Sequence, residues 1–168
     1  IRELPCPVVC AVNGVAAGAG ANLALACDIV LAAKSAKFIQ SFAKVGLIPD
    51  TGGSWHLPHL LGEARAKGLA MTAEQLSSEK AESWGLIWKS VDDTDLMKAA
   101  REITAGLAKG PTLGLALTKK AIQTSWESDL LTHMDKEADY MKRCGESADY
   151  AEGVRAFLQK GSPDFKGR

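Results

Sequence analysis

No apolar run in this sequence approaches the roughly 20 residues needed to cross a bilayer, and no signal-peptide pattern opens it. Net charge is also absent. Twenty Lys and Arg balance twenty Asp and Glu, so no bulk field favours nucleic acid or a membrane surface. Cysteines are few: Cys6, Cys10, Cys27 and Cys144 show no metal-ligand spacing, and three of them sit among apolar neighbours. They read as reduced, buried thiols of a cytoplasmic protein with no metal site. Gly18-Ala19-Gly20 lacks the third glycine of a dinucleotide fingerprint and the Lys-Ser/Thr of a phosphate loop. No internal repeat or low-complexity tract is present either.

What remains is a soluble-type composition, 46% apolar and 24% charged over 168 residues, enough for one ordinary domain with a substantial core. Pro7–Val12 is apolar on both faces, as an interior strand is. Only Ile29–Ala33 and Leu86–Val91 read as further strands. Three strands are few for an interior sheet, Ile1–Leu4 reads like a helix tail, and there is no initiating Met. The expectation is a C-terminal part of a longer protein.

Between the strands, Asn13-Gly14 marks a turn and Gly18–Ala26 a short helix. Residues 38–58 read as an irregular, Gly- and Pro-rich functional loop. Glu63–Met71 and Ser78–Trp84 read as helices, the second with Ser77 as N-cap, Glu79 in its first turn and Gly85 at C′. After Val91 the pattern becomes helical. Leu96, Ala99, Ala100, Ile103 and Leu107 share one face; Leu113, Leu117 and Ala121 share another, after Pro111. Leu131, Met134, Ala138 and Met141 mark a third helix, and Val154, Phe157 and Leu158 a fourth. The division expected is 1–92 for core and loops, and 93–168 for a helical region.

Chemistry has few candidates. The glycines at 18 and 20 read as close helix–strand packing, or as a helix start whose unpaired N–H groups a carbonyl oxygen can reach. Asp50, in Ile48-Pro-Asp-Thr-Gly-Gly53, reads as a turn former or N-cap. It also reads as a general base desolvated by Phe42, Val45, Leu47, Ile48 and Trp55. His56 and His59 lack further zinc ligands and read as structural or surface residues. Trp84 and Trp88 read as core and the four Met as gap fillers. Lys119-Lys120 and Lys142-Arg143 read as solvated helix faces.

Ala11-Val-Asn-Gly-Val-Ala-Ala-Gly-Ala-Gly-Ala21, Ala26-Cys-Asp-Ile-Val30, Gly46-Leu-Ile-Pro-Asp-Thr-Gly-Gly53 and Asp149–Lys160 with Ser162–Phe165 resemble segments of the enoyl-CoA hydratase/isomerase (crotonase) superfamily, in the same order. The resemblance implies an α/β fold, a ClpP-like spiral of ββα units with its N-terminal part missing, and a C-terminal helical trimerisation region. It implies homotrimers or dimers of trimers, a coenzyme A thioester as substrate, and no permanently bound cofactor. The N–H of Ala19, between Gly18 and Gly20, is implied as one donor to the thioester oxygen. The second donor is implied to lie before residue 1. The two glutamates of the family's hydratases fall at Asn22 and Phe42, neither of which can act as a carboxylate base. Asp50 falls where some family isomerases carry an acid. Phe157 and Lys160 match positions that contact coenzyme A. Gly46–Trp55 and Trp84-Gly-Leu-Ile-Trp88 with Val91-Asp-Asp93 are especially similar to ring-epoxide acyl-CoA isomerases of bacterial phenylacetate catabolism, which are also associated with Δ3-to-Δ2 double-bond shifts. The expectation is an isomerase of that kind, with a hydratase of the same pathway as a partner. The alternatives are an enoyl-CoA hydratase or other crotonase lyase, and a non-catalytic subunit of the same fold.

Overall fold

The structure, a computed structural model, describes residues 1–168. It divides into two compact units. The first comprises residues 1–2 and 8–102, the second residues 3–7 and 103–168.

The first unit is built from ββα steps. Strand β1 (Val9–Val12) leads through Asn13-Gly14 into β2 (Val15–Ala17), and helix α1 (Ala19–Leu25) follows. Strands β3 (Ile29–Ala33) and β4 (Lys37–Ile39) repeat the step, followed by a 3-10 turn at Ser41–Val45 and helices α2 (Gly53–Leu61) and α3 (Glu63–Thr72). The last step is β5 (Gln75–Ser77), α4 (Ser78–Ser83) and β6 (Lys89–Val91). Each ββ pair is split between two small sheets. One is parallel, in the order β1-β3-β6; in the other, β2-β4-β5, β4 pairs antiparallel with β5. Strand β3 is central, and Val30–Ala33 are all buried, which explains its unbroken apolar run.

Several expectations are revised here. β2, β4 and β5 were not anticipated, and three residues are too short to display a period of two. Leu86 and Ile87 are buried in the turn before β6 and are not strand residues. Residues 53–58 are helical, with Pro58 inside α2. Residues 1–4 form no helix. Trp88 and all four Met are exposed, and Trp84 is half-buried between Arg65 and Lys80, each 4.6–4.7 Å from its ring centroid. The four thiols are free, as expected, but none is fully buried. The α4 signals hold: the Ser77 hydroxyl accepts the Lys80 N–H, and Gly85 takes φ 80°.

Helix α5 (Leu96–Ala108) leads into the second unit, which contains α6 (Thr112–Thr124), α7 (Leu130–Gly145) and α8 (Ala148–Leu158). Asp129 and Ser147 cap α7 and α8, accepting the N–H groups of Thr132 and Tyr150. Lys119 is not a solvated lysine. It is buried on α6 and donates to the Cys6 carbonyl at 3.1 Å, fixing residues 3–7 to this unit. The apolar stripe of α7 has no buried residue.

Residues 162–168 fold back along α8. The buried Asp149 carboxylate accepts the N–H groups of Lys166 (2.6 Å) and Gly167 (2.8 Å). Glu152 accepts two bonds from Arg155 and the Asp164 N–H. Hydrogen bonds to a carboxylate contribute about 1.5–3 kcal/mol. Asp149→Ala removes two such bonds and should therefore lower stability by at least about 1.5–3 kcal/mol and abolish hydrogen-exchange protection of the Lys166 and Gly167 amides. The Arg155 bonds and the Asp164 amide push the Glu152 carboxyl down from an ordinary 4.5 to about 2. Because the folded value lies below the unfolded one, its contribution is complete above pH 4.5 and is lost as the pH falls towards about 2. The difference in melting temperature between the wild type and Glu152→Gln should shrink over that interval.

Candidate active site

Gly18 sets the local geometry. Its φ of 53° and ψ of −126° lie in a region that side-chain-bearing residues avoid. A Cβ there would meet Ser41 Oγ at 3.2 Å and the Phe42 ring at 3.7 Å. The Gly18 N–H donates to Ile39 O at 2.8 Å, and the first helical bond of α1 runs from the Asn22 N–H to Gly18 O. Ala19 is exposed, and no hydrogen bond within the chain takes its N–H. A carbonyl oxygen can therefore be received there, at the positive end of a short helix. Gly20 is also exposed, with nothing within 4 Å of where its Cβ would stand. Phe42 is buried against Gly18 as a floor.

Asp50 heads a tight turn. The Gly53 N–H donates to Asp50 O at 2.8 Å, and both central residues have positive φ, 50° at Thr51 and 78° at Gly52. This is the type I′ pattern, and the β-branched Thr51 is strained in it. The Asp50 carboxylate is exposed and accepts the Thr51 hydroxyl at 2.8 Å. The desolvating apolar wall expected from the sequence is not supplied by the loop: Val45, Leu47 and Ile48 are themselves exposed, Ile48 by 80%. A groove of about 270 Å³ beside the turn is lined by Pro49, Leu57, Pro58, Ala70 and Met71 among others.

Asn22 joins these two features. Its side chain is fully buried (0% exposed), its Nδ2 donates to Asp50 O at 2.9 Å, and its Oδ1 accepts Gln40 Nε2 at 2.8 Å. Its amide is thus engaged on both sides within the chain. Gly53 makes room for it, because a Cβ there would collide with the Asn22 amide.

Two further residues support the turn. Gln40 carried no signal beyond following a short strand. His56 has the structural one of its two expected roles: it is buried, and its ring lies 3.1–3.2 Å from where a Gly52 Cβ would stand. Burial first, then the charges of Arg2 and His59, lower its pKa below the ordinary imidazole range, so a neutral ring supports the turn near pH 7. His59 stacks on Trp55 with centroids 4.1 Å apart.

Phe157 and Lys160 lie in the second unit, at the end of α8. Phe157 is 83% exposed and borders an apolar cavity of about 420 Å³ with Pro111, Tyr150, Val154 and Phe165. Lys160 is exposed with φ 51°. Its N–H reaches Phe157 O, and the Gly161 N–H reaches Ala156 O. This is a Schellman motif with lysine at the position glycine prefers.

The profile of the enoyl-CoA hydratase/isomerase family matches residues 1–168. Over 168 residues the chain is 55% identical to the 1,2-epoxyphenylacetyl-CoA isomerase of Escherichia coli K12, covering all of this chain and 64% of that protein. It is 49% identical to a Rhodobacter capsulatus protein named "Probable enoyl-CoA hydratase", covering all of this chain and 65% of that one. The crystal structure of an enoyl-CoA hydratase from Polaromonas sp. JS666 superposes with a TM-score of 0.95 at 38% identity, covering 99% of this chain and 65% of that one. One from Bacillus anthracis gives 0.96 at 35%, covering 100% and 65%. The chain thus spans somewhat under two thirds of the length of these relatives. With its split ββ steps and its full-length match to the profile, the chain belongs to the enoyl-CoA hydratase/isomerase family and has the crotonase fold.

Proposed function

We propose that this chain carries catalytic residues of an acyl-CoA isomerase, with Asp50 as the proton-transferring base and the Ala19 N–H as a donor to the thioester oxygen. The observation that carries the reading is the Asn22–Asp50 bond of 2.9 Å. It ties the turn presenting a carboxylate to the helix presenting an unpaired N–H. The positions implied for the hydratase glutamates hold Asn22 and Phe42, both buried and neither a base.

In a 3-enoyl thioester, Asp50 takes a proton from C2. The C2–H electrons move into the thioester, and the Ala19 N–H stabilises the resulting oxyanion. The protonated Asp50 then gives the proton to C4, the double bond passes from C3–C4 to C2–C3, and the carboxylate is regenerated. The E. coli relative supports a ring epoxide of phenylacetyl-CoA as the natural substrate. Gly18 and Gly20 keep the oxygen's approach clear, and Phe42 shapes its floor.

Hydration is the second reading, favoured by the hydratase name of the R. capsulatus relative. Loss of enone absorbance on adding crotonyl-CoA to the complete polypeptide would support it. For the isomerase reading, Asp50→Asn keeps size but cannot accept a proton. Turnover of 3-enoyl-CoA should fall by at least roughly a hundredfold, while binding of the thioester survives. Near-wild-type turnover would leave Asp50 as a turn residue.

Phe157 and Lys160 are proposed to contact coenzyme A, Lys160 at a phosphate. The exposed Leu130, Leu131, Met134 and Met141 of α7 are proposed as a surface for self-association into trimers or dimers of trimers. A test of Lys160 separates backbone from charge. Lys160→Gly removes a left-handed lysine and should stabilise the fold by about 1 kcal/mol. It should also weaken coenzyme A binding more than binding of 3′-dephospho-CoA. Equal weakening of both would exclude a role at the 3′-phosphate.

A further inference from the structure

Behind the Asp50 turn lies a short chain of buried amides whose direction is fixed. The Asp50 carbonyl can only accept, so Asn22 must turn its NH2 toward it. The Asn22 oxygen then faces the other way and needs a donor, which the Gln40 NH2 supplies at 2.8 Å. This orientation leaves Gln40 Oε1 buried with no hydrogen-bond partner in the chain, in a residue only 4% exposed. An unsatisfied buried oxygen is destabilising, and an apolar side chain of the same length would avoid that cost. Thr51, two bonds beyond the anchored carbonyl, adds strain with φ 50°. Both costs converge on one element, the turn that presents the Asp50 carboxylate.

We propose that Gln40 is a positioning residue: through Asn22 it fixes the Asp50 turn against the start of α1, and so sets the distance between the carboxylate and the Ala19 N–H. The inference rests on the reading of Asp50 as the base. Without the Gln40 donor, Asn22 keeps only its bond to the Asp50 carbonyl, its side chain loses the second anchor that fixes its position, and the strained turn can relax. Displacing a catalytic group by about 1 Å costs on the order of a hundredfold in rate.

The test compares Gln40→Met, Gln40→Glu, Asp50→Asn and the double variant Gln40→Met/Asp50→Asn in the complete polypeptide, with a 3-enoyl-CoA as substrate. Gln40→Met should lower kcat by about tenfold to a hundredfold with KM within about twofold of wild type. In the Asp50→Asn background the same change should alter the residual rate by less than about twofold, because the residue acts through Asp50. Gln40→Glu keeps the fold testable if methionine does not pack. Its carboxyl can donate to Asn22 only when protonated, so the ratio of its kcat to that of wild type should rise as pH is lowered. Wild-type kcat in Gln40→Met, equal losses in both backgrounds, or a pH-independent ratio for Gln40→Glu would each overturn the inference, provided Asp50→Asn is impaired. Wild-type turnover in Asp50→Asn overturns the reading of Asp50 itself and this inference with it.

Discussion

The first unit depends on a neutral amide placed where no solvent reaches it. Asn22 is wholly enclosed, and leaving its polar atoms unpaired would cost several times what one hydrogen bond contributes. Its surroundings are arranged to prevent that. Gly53 has no side chain, so the Asn22 amide can lie against the start of α2. The Asp50 carbonyl turns inward to accept, and Gln40 is buried to donate. A carboxylate at position 22 would face the Asp50 carbonyl with an acceptor and repel it. An aliphatic residue would leave the Gln40 amide without its acceptor and the Asp50 carbonyl with the Gly53 N–H alone. An amide has both the donor and the acceptor this geometry needs.

The bonded carbonyl in turn makes the strained turn tenable. A β-branched residue at positive φ costs of the order of 1–3 kcal/mol. Three hydrogen bonds oppose it: Asn22 Nδ2 and the Gly53 N–H to the Asp50 carbonyl, and the Thr51 hydroxyl to the Asp50 carboxylate. At about 1 kcal/mol each they are of the same size as the strain. The Thr51 hydroxyl has a second effect, since it restricts which way the carboxylate turns. The turn is thus held by two bonds of its own and one from Asn22, and the carboxylate can be exposed and still be placed.

How much of this was legible in the sequence depends on the range over which each signal acts. Ile29–Ala33 and the Ser77-capped helix were readable because their causes lie within a few residues: continuous burial in one case, an N-cap hydroxyl and a C′ glycine in the other. The Asp50 turn was readable for the same reason, from its proline and glycines. The strands β2, β4 and β5 were not, since three residues carry no period and their pairing comes from partners further along the chain. Lys119 looked like half of a solvated doublet because its acceptor, the Cys6 carbonyl, is 113 residues away. Gln40 was invisible for the same reason: its partner is 18 residues distant, and nothing local marks a glutamine as buried. The α7 stripe was read as a helix face, but amphipathicity shows that a face is apolar without naming what covers it.

Left-handed backbone alone does not mark function. Thr51, Ala73 and Lys160 are the non-glycine residues with positive φ. Ala73 closes α3, its N–H bonded to Leu69 O, and Lys160 closes α8 in a Schellman motif. Both positions follow from helix termination, where a left-handed residue satisfies orphan carbonyls and brings its own compensation. Thr51 ends no helix. Its conformation is sustained by two bonds within the turn and by Asn22 from elsewhere in the fold, behind which Gln40 is buried at a polar cost. Strain of this kind directs attention to what the strained element presents. Here that element presents the Asp50 carboxylate.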